Sequence, residues 1–568
     1  MFMSEAFTDI LISYRMSFQL FYYFSRKIKM KKCLIIFLLI VAACNQPKQE
    51  IDLLVHNAKI YQVNKEFSTA EAMAISNGEI LALGNLEDLT KKYSFKEKLD
   101  AENQTIFPGF IDAHGHLYNY GLQLQYVDLY NTKSFDELVE RIVNFQEENQ
   151  KDYIIGRGWD QNLWENQEFP VNDTLNQLFP DTPISLSRVD GHALLCNQAA
   201  LDLAGIDESM NVKDGALLQE NGKLTGIIID GPMPLVFDTY PELSDEEAKE
   251  ALLSAEKECL AHGLTCVADA GLPKRIIDLI DSLQINEDMQ LRMYAMISNT
   301  EANLEYYLNR PPILKEKLVV KGVKVYADGA LGSRGAALKS PYSDRENHFG
   351  NMVISLDDFH ALAERISKTE FQMNTHAIGD SANSVVLNTY AKFLQNQSDR
   401  RWRVEHAQVM DADEYTFFSE NIIPSVQPTH AISDMHWAED RLGEVRIQHA
   451  YAYKNLLDNA GMLALGTDFP IEGIDPLMTF FTAVARQDEN FSPAEGFQKQ
   501  NAISREEAIR GMTIWAAYAN FQEDLIGSLE VGKKADFIIL DQDLMEVPEE
   551  KILSTQVIST FIDGQKAN

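Results

Sequence analysis

Eight apolar segments with strand character, each running into a polar or glycine-containing turn, recur between residues 108 and 470. They are Phe110-Ile111, LTCVADAG (264–271), LRMYAMIS (291–298), GVKVYADG (322–329), FQMNTHAIGD (371–380), RWRVEHAQ (401–408), IIPSVQP (422–428) and MLALGTDFP (462–470). Helical patterns such as SDEEAKEALLSAEKECLAHG (244–263) and SLDDFHALAERISK (355–368) separate several of them. Eight strands alternating with helices predict an α/β fold, a (β/α)8 TIM-type barrel over residues 109–524. A doubly wound open sheet is the alternative, because spacing alone fits both.

The two chain ends share another texture. DLLVHNAKIYQV and EAMAISNGEILALG, with a hairpin signal at Asn77-Gly78, precede the barrel; GSLEVGKKADFIILD and VISTFIDGQ follow it. Short glycine-punctuated strands at both ends predict one small β-sandwich built from 51–108 and 525–568. The stretch between the first two barrel strands, about 121–262, is too long for a bare crossover and predicts an inserted subdomain over the barrel mouth.

The N-terminus is different again. Met30-Lys31-Lys32 leads into the apolar run CLIIFLLIVAAC and then polar NQPKQE. A basic region, a short apolar core and Val41-Ala42-Ala43-Cys44 resemble a bacterial lipoprotein signal over 30–44, with Cys44 as the lipidated residue. Residues 1–29 lie upstream of a complete signal and read as an overextended start. This predicts a membrane-anchored lipoprotein of the bacterial cell envelope, exposed outside the cytoplasm. The formal net charge of −35 repels phosphates and argues against nucleic acid. Past the signal, Cys196, Cys259 and Cys266 show neither metal-site spacing nor a disulfide framework.

Chemistry concentrates where the barrel strands end, the face on which such folds carry their active sites. His114 and His116 stand two apart at the end of the first strand, where both can point inward and clamp one metal ion. Lys324 interrupts an apolar strand, and a buried lysine is costly unless neutralised or paired; a lysine reaching the rim is the other reading. His376 and His406 end the fifth and sixth strands, and Asp468 ends the eighth. Four imidazoles and a carboxylate suit zinc and similar divalent ions. Converted by CO2 to a carbamate, Lys324 becomes an anion able to bridge two metals.

These segments carry a resemblance. PGFIDAHGHL, GVKVYADGALGSRGAAL, NTHAIGD, RVEHAQ and ALGTDFP look like the amidohydrolase superfamily, in particular the YtcJ-like branch that includes N-substituted formamide deformylase. The resemblance runs from about residue 51 to the C-terminus. It implies one or two divalent ions, zinc first. His114 and His116 would hold the more buried ion, carbamylated Lys324 would bridge, and His376 and His406 would hold the second. Asp468 would bind metal and the attacking hydroxide.

His192 in RVDGHALLCNQAAL matches a motif of the branch and is expected to join Asp468 and His406 as a catalytic and substrate-binding residue. Trp159 and Asp160 in GRGWD are candidates for the substrate cleft. Arg334 is placed to hold a substrate carboxylate or to cap a helix. His56, His262, His348, His360, His430, His436 and His449 fit no ligand position.

The implied activity is hydrolysis of a non-peptide carbon–nitrogen bond, an amide, N-acyl or N-formyl amine, by metal-activated hydroxide. The same ligands would serve a deaminase or a cyclic-amide hydrolase. A non-catalytic, surface-tethered binding lipoprotein would keep the barrel without turnover. The partners expected are a small amide substrate and, through Cys44, a membrane; a homodimer stays open.

Overall fold

In the computed structural model, residues 22, 23, 25–27, 48–212 and 215–568 are described. The signal segment 30–44, Cys44 included, and most of the stretch before it lie outside the described residues.

Eight parallel strands form the centre: Phe110–Gly115, Leu264–Leu272, Arg292–Ser298, Leu318–Tyr326, Gln372–Ala377, Trp402–His406, Ile422–Val426 and Ala464–Leu465. They are the eight segments expected, in the expected order. A short antiparallel strand, Ile313–Leu314, joins the sheet beside the fourth. The strands read as nearly continuous apolar runs because helices cover one face and the barrel interior the other. The seam between the eighth and first strands is bridged at its C-terminal rim. There the N–H of Asp468 donates to the carbonyl of His114 (2.7 Å), and that of His116 to the carbonyl of Phe469 (2.8 Å). The (β/α)8 architecture therefore holds, and the open doubly wound sheet does not.

Both chain ends build the flanking sheets. Thr105–Pro108 pairs antiparallel with Phe537–Leu540, so the N-terminal and C-terminal segments share a six-stranded sheet. A four-stranded sheet from residues 49–100 packs on it through Val55, Met73, Ile75, Ile106, Phe537 and Phe561. Arg292, at the start of the third barrel strand, ties this layer to the barrel. Its buried guanidinium grips Asp536 (2.6 and 3.0 Å) and Asp563 (2.5 Å).

The inserted segment has its own six-stranded sheet and its own core around Leu129, Ile154, Trp159 and Leu186. Its end falls earlier than expected. Helix Asp245–Ala261, opened by a capping box between Ser244 and Glu247, belongs to the barrel layer. Its Ala248, Leu252, Ala255 and Cys259 pack with Leu264 and Val267, so the insert stops before 244 rather than at 262. Cys196, Cys259 and Cys266 are buried and free.

Candidate metal centre and active site

Asp112, His114 and His116 alternate with small residues at the end of the first strand. The buried Asp112 carboxylate accepts from the N–H of His114 (2.9 Å) and from the hydroxyl of Thr467 (2.7 Å). It thereby fixes the strand that carries His114 against the loop that carries Asp468. Burial, only partly offset by these bonds, pushes Asp112 up to about 7.

The His114 ring is 0% exposed, and its Nδ1 lies 2.6 Å from Oε2 of Glu405. Nδ1 is thus the protonated nitrogen, and the Nε2 lone pair points toward Lys324 and Asp468. That Nε2 lies 3.0 Å from the Lys324 amine and 3.6 Å from Oδ1 of Asp468. His116 Nε2 reaches the same Oδ1 at 3.1 Å, without hydrogen-bond alignment. His406 gives its Nδ1–H to Oε1 of Gln427 (2.8 Å), which leaves its Nε2 for the cavity. The His376 and His406 rings stand 4.5 Å apart, and His114 and His406 5.1 Å. Ligand atoms of His114, His406 and Asp468 lie within 4.8 Å of one another.

Strand alternation alone would send Glu405 and His406 to opposite faces. Positive φ at His406 (72°) and Ala407 (43°) turns the chain, so that Glu405 backs His114 while His406 enters the site. Asp468 is also left-handed, at φ 63°. Strained non-glycine backbone of this kind is held in place only by surroundings that over-determine it, and it gathers at functional sites.

The electrostatics favour metal-binding forms. Burial and the Lys324 charge push His114 down to about 4 and His376 to about 3. Burial and the neighbouring imidazoles hold His406 well below its ordinary range. Burial also lowers Lys324. Burial would raise both carboxylates, but it is outweighed. Arg403 and His114 draw Glu405 to about 2, and His114, His116, His406 and His430 keep Asp468 ionised. Nε2 of His376 and Oδ1 of Asp468 are buried with no aligned hydrogen-bond partner among the described residues. Neutral imidazoles, an ionised carboxylate and unpartnered buried donor atoms fit a divalent ion.

All six expected ligands come together here. The cavity above them, about 640 Å³, is walled by Leu331, Ile378, Trp437 and Ile471 of the barrel and by Tyr126 and Arg157 of the insert.

The sequence profile of the amidohydrolase family matches residues 97–567, which span the barrel, the insert and the C-terminal strands. The chain belongs to the amidohydrolase family. As an amidohydrolase it is a hydrolase of carbon–nitrogen bonds other than peptide bonds. It is 30% identical to "Putative amidohydrolase YtcJ" of Bacillus subtilis over 90% of this chain and 98% of that one. Identity to the N-substituted formamide deformylase of Arthrobacter pascens is 26%, covering 90% and 97%. The crystal structure of an uncharacterized metal-dependent hydrolase from Pyrococcus horikoshii superimposes with a TM-score of 0.75. It is 28% identical and covers 88% of this chain and 99% of its own.

Four expected site residues of this amidohydrolase stand elsewhere. Trp159 is 0% exposed; it fills the insert core and donates its indole N–H to the carbonyl of Leu186 (2.8 Å). Asp160 caps the turn that follows and pairs with Arg188 (2.7 Å). The His192 side chain, 61% exposed, bonds Asp230 (2.7 Å) within the insert and does not line the cavity. Arg334 is spent on Asp344 (2.7 Å). Trp159, Asp160 and Arg334 are thus already engaged by partners inside the fold, and the largely exposed His192 stands away from the cavity.

Conversely, His430 had no expected place yet lines the cavity. Its ring stacks on His406 at 5.7 Å, and its unpartnered Nε2 lies 3.6 Å from Oδ2 of Asp468. Glu405 was equally unexpected, although a carboxylate beside the strand-end histidine in RWRVEH was a readable signal. His430 gave none, because it sits inside helix Pro428–Asp434 rather than at a strand end.

Proposed function

We propose that this amidohydrolase cleaves a non-peptide amide, an N-acyl or N-formyl amine, at a site holding one or two divalent ions, zinc first, with Lys324 as a carbamate. The observation that carries the reading is the convergence of His114, His116, His376, His406 and Asp468 at the barrel mouth, with Asp468 Oδ1 and His376 Nε2 unpartnered. The relatedness to a formamide deformylase supports the bond type.

A bound divalent ion supplies an acidified water and polarises the substrate carbonyl. The chain does the rest. Asp468, held ionised, takes a proton from the attacking water and passes it to the leaving nitrogen. His116 and His430 flank the two oxygens of that carboxylate and help hold it ionised. Glu405, locked by Arg403, keeps His114 in the tautomer whose Nε2 is free to ligate. Lys324, its burial favouring the neutral amine, can add its nitrogen to CO2 and release a proton. The apolar wall excludes bulk water from the amide.

The test is the zinc-loaded protein against a panel of formamides, N-acyl amines, lactams and aminopurines. Metal-dependent release of amine from the first two classes is expected. Turnover confined to aminopurines would overturn the reading in favour of a deaminase.

A further inference from the structure

In a chain of net charge −35, almost every buried or half-buried arginine is held by a carboxylate or by backbone carbonyls. Arg157 is different. It is half-buried and lines the catalytic cavity from the insert side. Among the described residues its guanidinium makes no ion pair, and its Nε is buried with no hydrogen-bond partner. Its cross-strand neighbour Asp128 makes no ion pair with it, and the Asp128 Oδ1 accepts from the N–H of Tyr130 (2.9 Å). On the adjacent strand Arg188 shows the contrast, fully engaged by Asp160 and Asp190.

The backbone aims Arg157 deliberately. In strand Ile154–Trp159, residues 157 and 159 would ordinarily share a face. A register shift between them, with Gly158 at φ 107°, breaks the alternation. A side chain on Gly158 would meet the Tyr130 ring at 2.4 Å. Trp159 therefore turns into the insert core while Arg157 faces the cavity. The side-chain oxygen of Gln123, on the same wall, is also buried and unpartnered.

The guanidinium carries a buried Nε without a partner, and its planar fork matches a carboxylate. A phosphate dianion fits less well, because Glu472 and Asp434 line the same cavity.

We infer that Arg157 is a specificity residue that binds a carboxylate on the substrate, so that the amide cleaved is that of an N-acyl or N-formyl amino acid. This rests on the amide-hydrolase reading and narrows it. The carboxylate sits on the insert wall while the amide faces the ligands on the barrel floor, and Gln123 is placed to accept from a substrate N–H.

The experiment compares N-formyl and N-acetyl amino acids with their uncharged carboxamides, in wild type, Arg157→Gln and Arg157→Lys. Turnover is measured on the zinc-loaded protein, and equilibrium binding by calorimetry on the metal-free protein. Wild type is expected to favour the carboxylates by about 10–100-fold, the scale of one charge-assisted hydrogen-bond pair. Arg157→Gln should abolish that preference by raising KM for the carboxylates; Arg157→Lys should keep part of it. Equal affinity of wild type and Arg157→Gln for the carboxylates overturns the inference, as does a wild type that neither binds nor prefers them. Arg157-dependent carboxylate binding without hydrolysis of any amide would instead uphold the inference and overturn the proposed reaction.

Discussion

Nδ1 of His114 sits 2.6 Å from Oε2 of Glu405, and both side chains are fully enclosed. That carboxylate is shared with the buried Arg403, whose Nε lies 2.8 Å from Oε1. One anion thus sets the tautomer of His114 and neutralises a buried cation. Glu405→Gln should weaken zinc binding about 10–100-fold, the usual effect of losing the partner behind a ligating histidine. Competition with a chromophoric chelator reads this directly. Wild-type affinity would show that Glu405 serves only Arg403.

The metal-free protein should be acid-sensitive through its buried imidazoles. Histidine ordinarily titrates near 6.5, but His114 is lowered to about 4 and His376 to about 3. The unfolded chain therefore takes up these protons first. Stability from these residues is complete above about pH 6.5 and falls as acid carries the protein toward pH 3–4. Asp112 and Asp328, raised by burial to about 7, act in the opposite sense. Their contribution is complete below about pH 4 and is lost as pH rises toward 7. Comparing His376→Asn with wild type isolates the histidine. The gap in melting temperature should narrow on acidification from pH 7 to 4. A gap independent of pH would mean that His376 does not resist protonation.

Lys324 offers a second test of the ligand set. Its amine lies 3.0 Å from His114 Nε2, and burial favours its neutral form, the form that reacts with CO2. Lys324→Ala should lose metal and activity and regain part of both with a short carboxylic acid that fills the gap. Removing dissolved CO2 during metal loading should lower wild-type occupancy. Full occupancy and turnover in Lys324→Ala would reduce this residue to a packing role.

The six expected ligand positions were legible because each sits at or near the end of a barrel strand, where a polar side chain stands out and where the barrel gathers all such ends. Trp159 misled for a local reason: the bulge at Gly158 reverses strand parity, so the arginine beside it, not the tryptophan, meets the cavity. Asp160 and Arg334 misled because a charge in a motif does not disclose its partner, whether on a neighbouring strand (Arg188) or further along the same loop (Asp344). The helix over 244–263 was read correctly as a helix, but an amphipathic pattern does not say which body its apolar stripe covers. His430 depends on stacking against His406, a contact that exists only once the chain is folded.

The segment around Cys44 carries a prediction independent of the site. With its basic start, short apolar core and Val41-Ala42-Ala43-Cys44, it should direct lipidation of Cys44 and cleavage before it. Mass spectrometry of protein from the native membrane fraction is expected to find no peptide upstream of Cys44. An unmodified protein that keeps residues 30–43 would end the proposal of an envelope lipoprotein.

The most direct test of the chemistry is Asp468→Asn. The carboxylate is enclosed, ionised and within 3.6 Å of three imidazole nitrogens, those of His114, His116 and His430. Asparagine keeps its size and one oxygen, so the loop bonds from the Asp468 N–H to His114 and around Thr467 should survive. It cannot accept a proton near neutral pH. Turnover should fall by about 10²–10⁴-fold, the range for a lost general base, while substrate affinity changes little. The loss belongs in kcat, because the interaction is made in the transition state and not on binding. Zinc content must be measured on the same sample, since Asp468 also offers a ligand atom. A metal-replete Asp468→Asn protein with wild-type kcat would remove Asp468 from proton transfer. It would leave His430, 3.6 Å away with a free Nε2, as the group positioned to take its place.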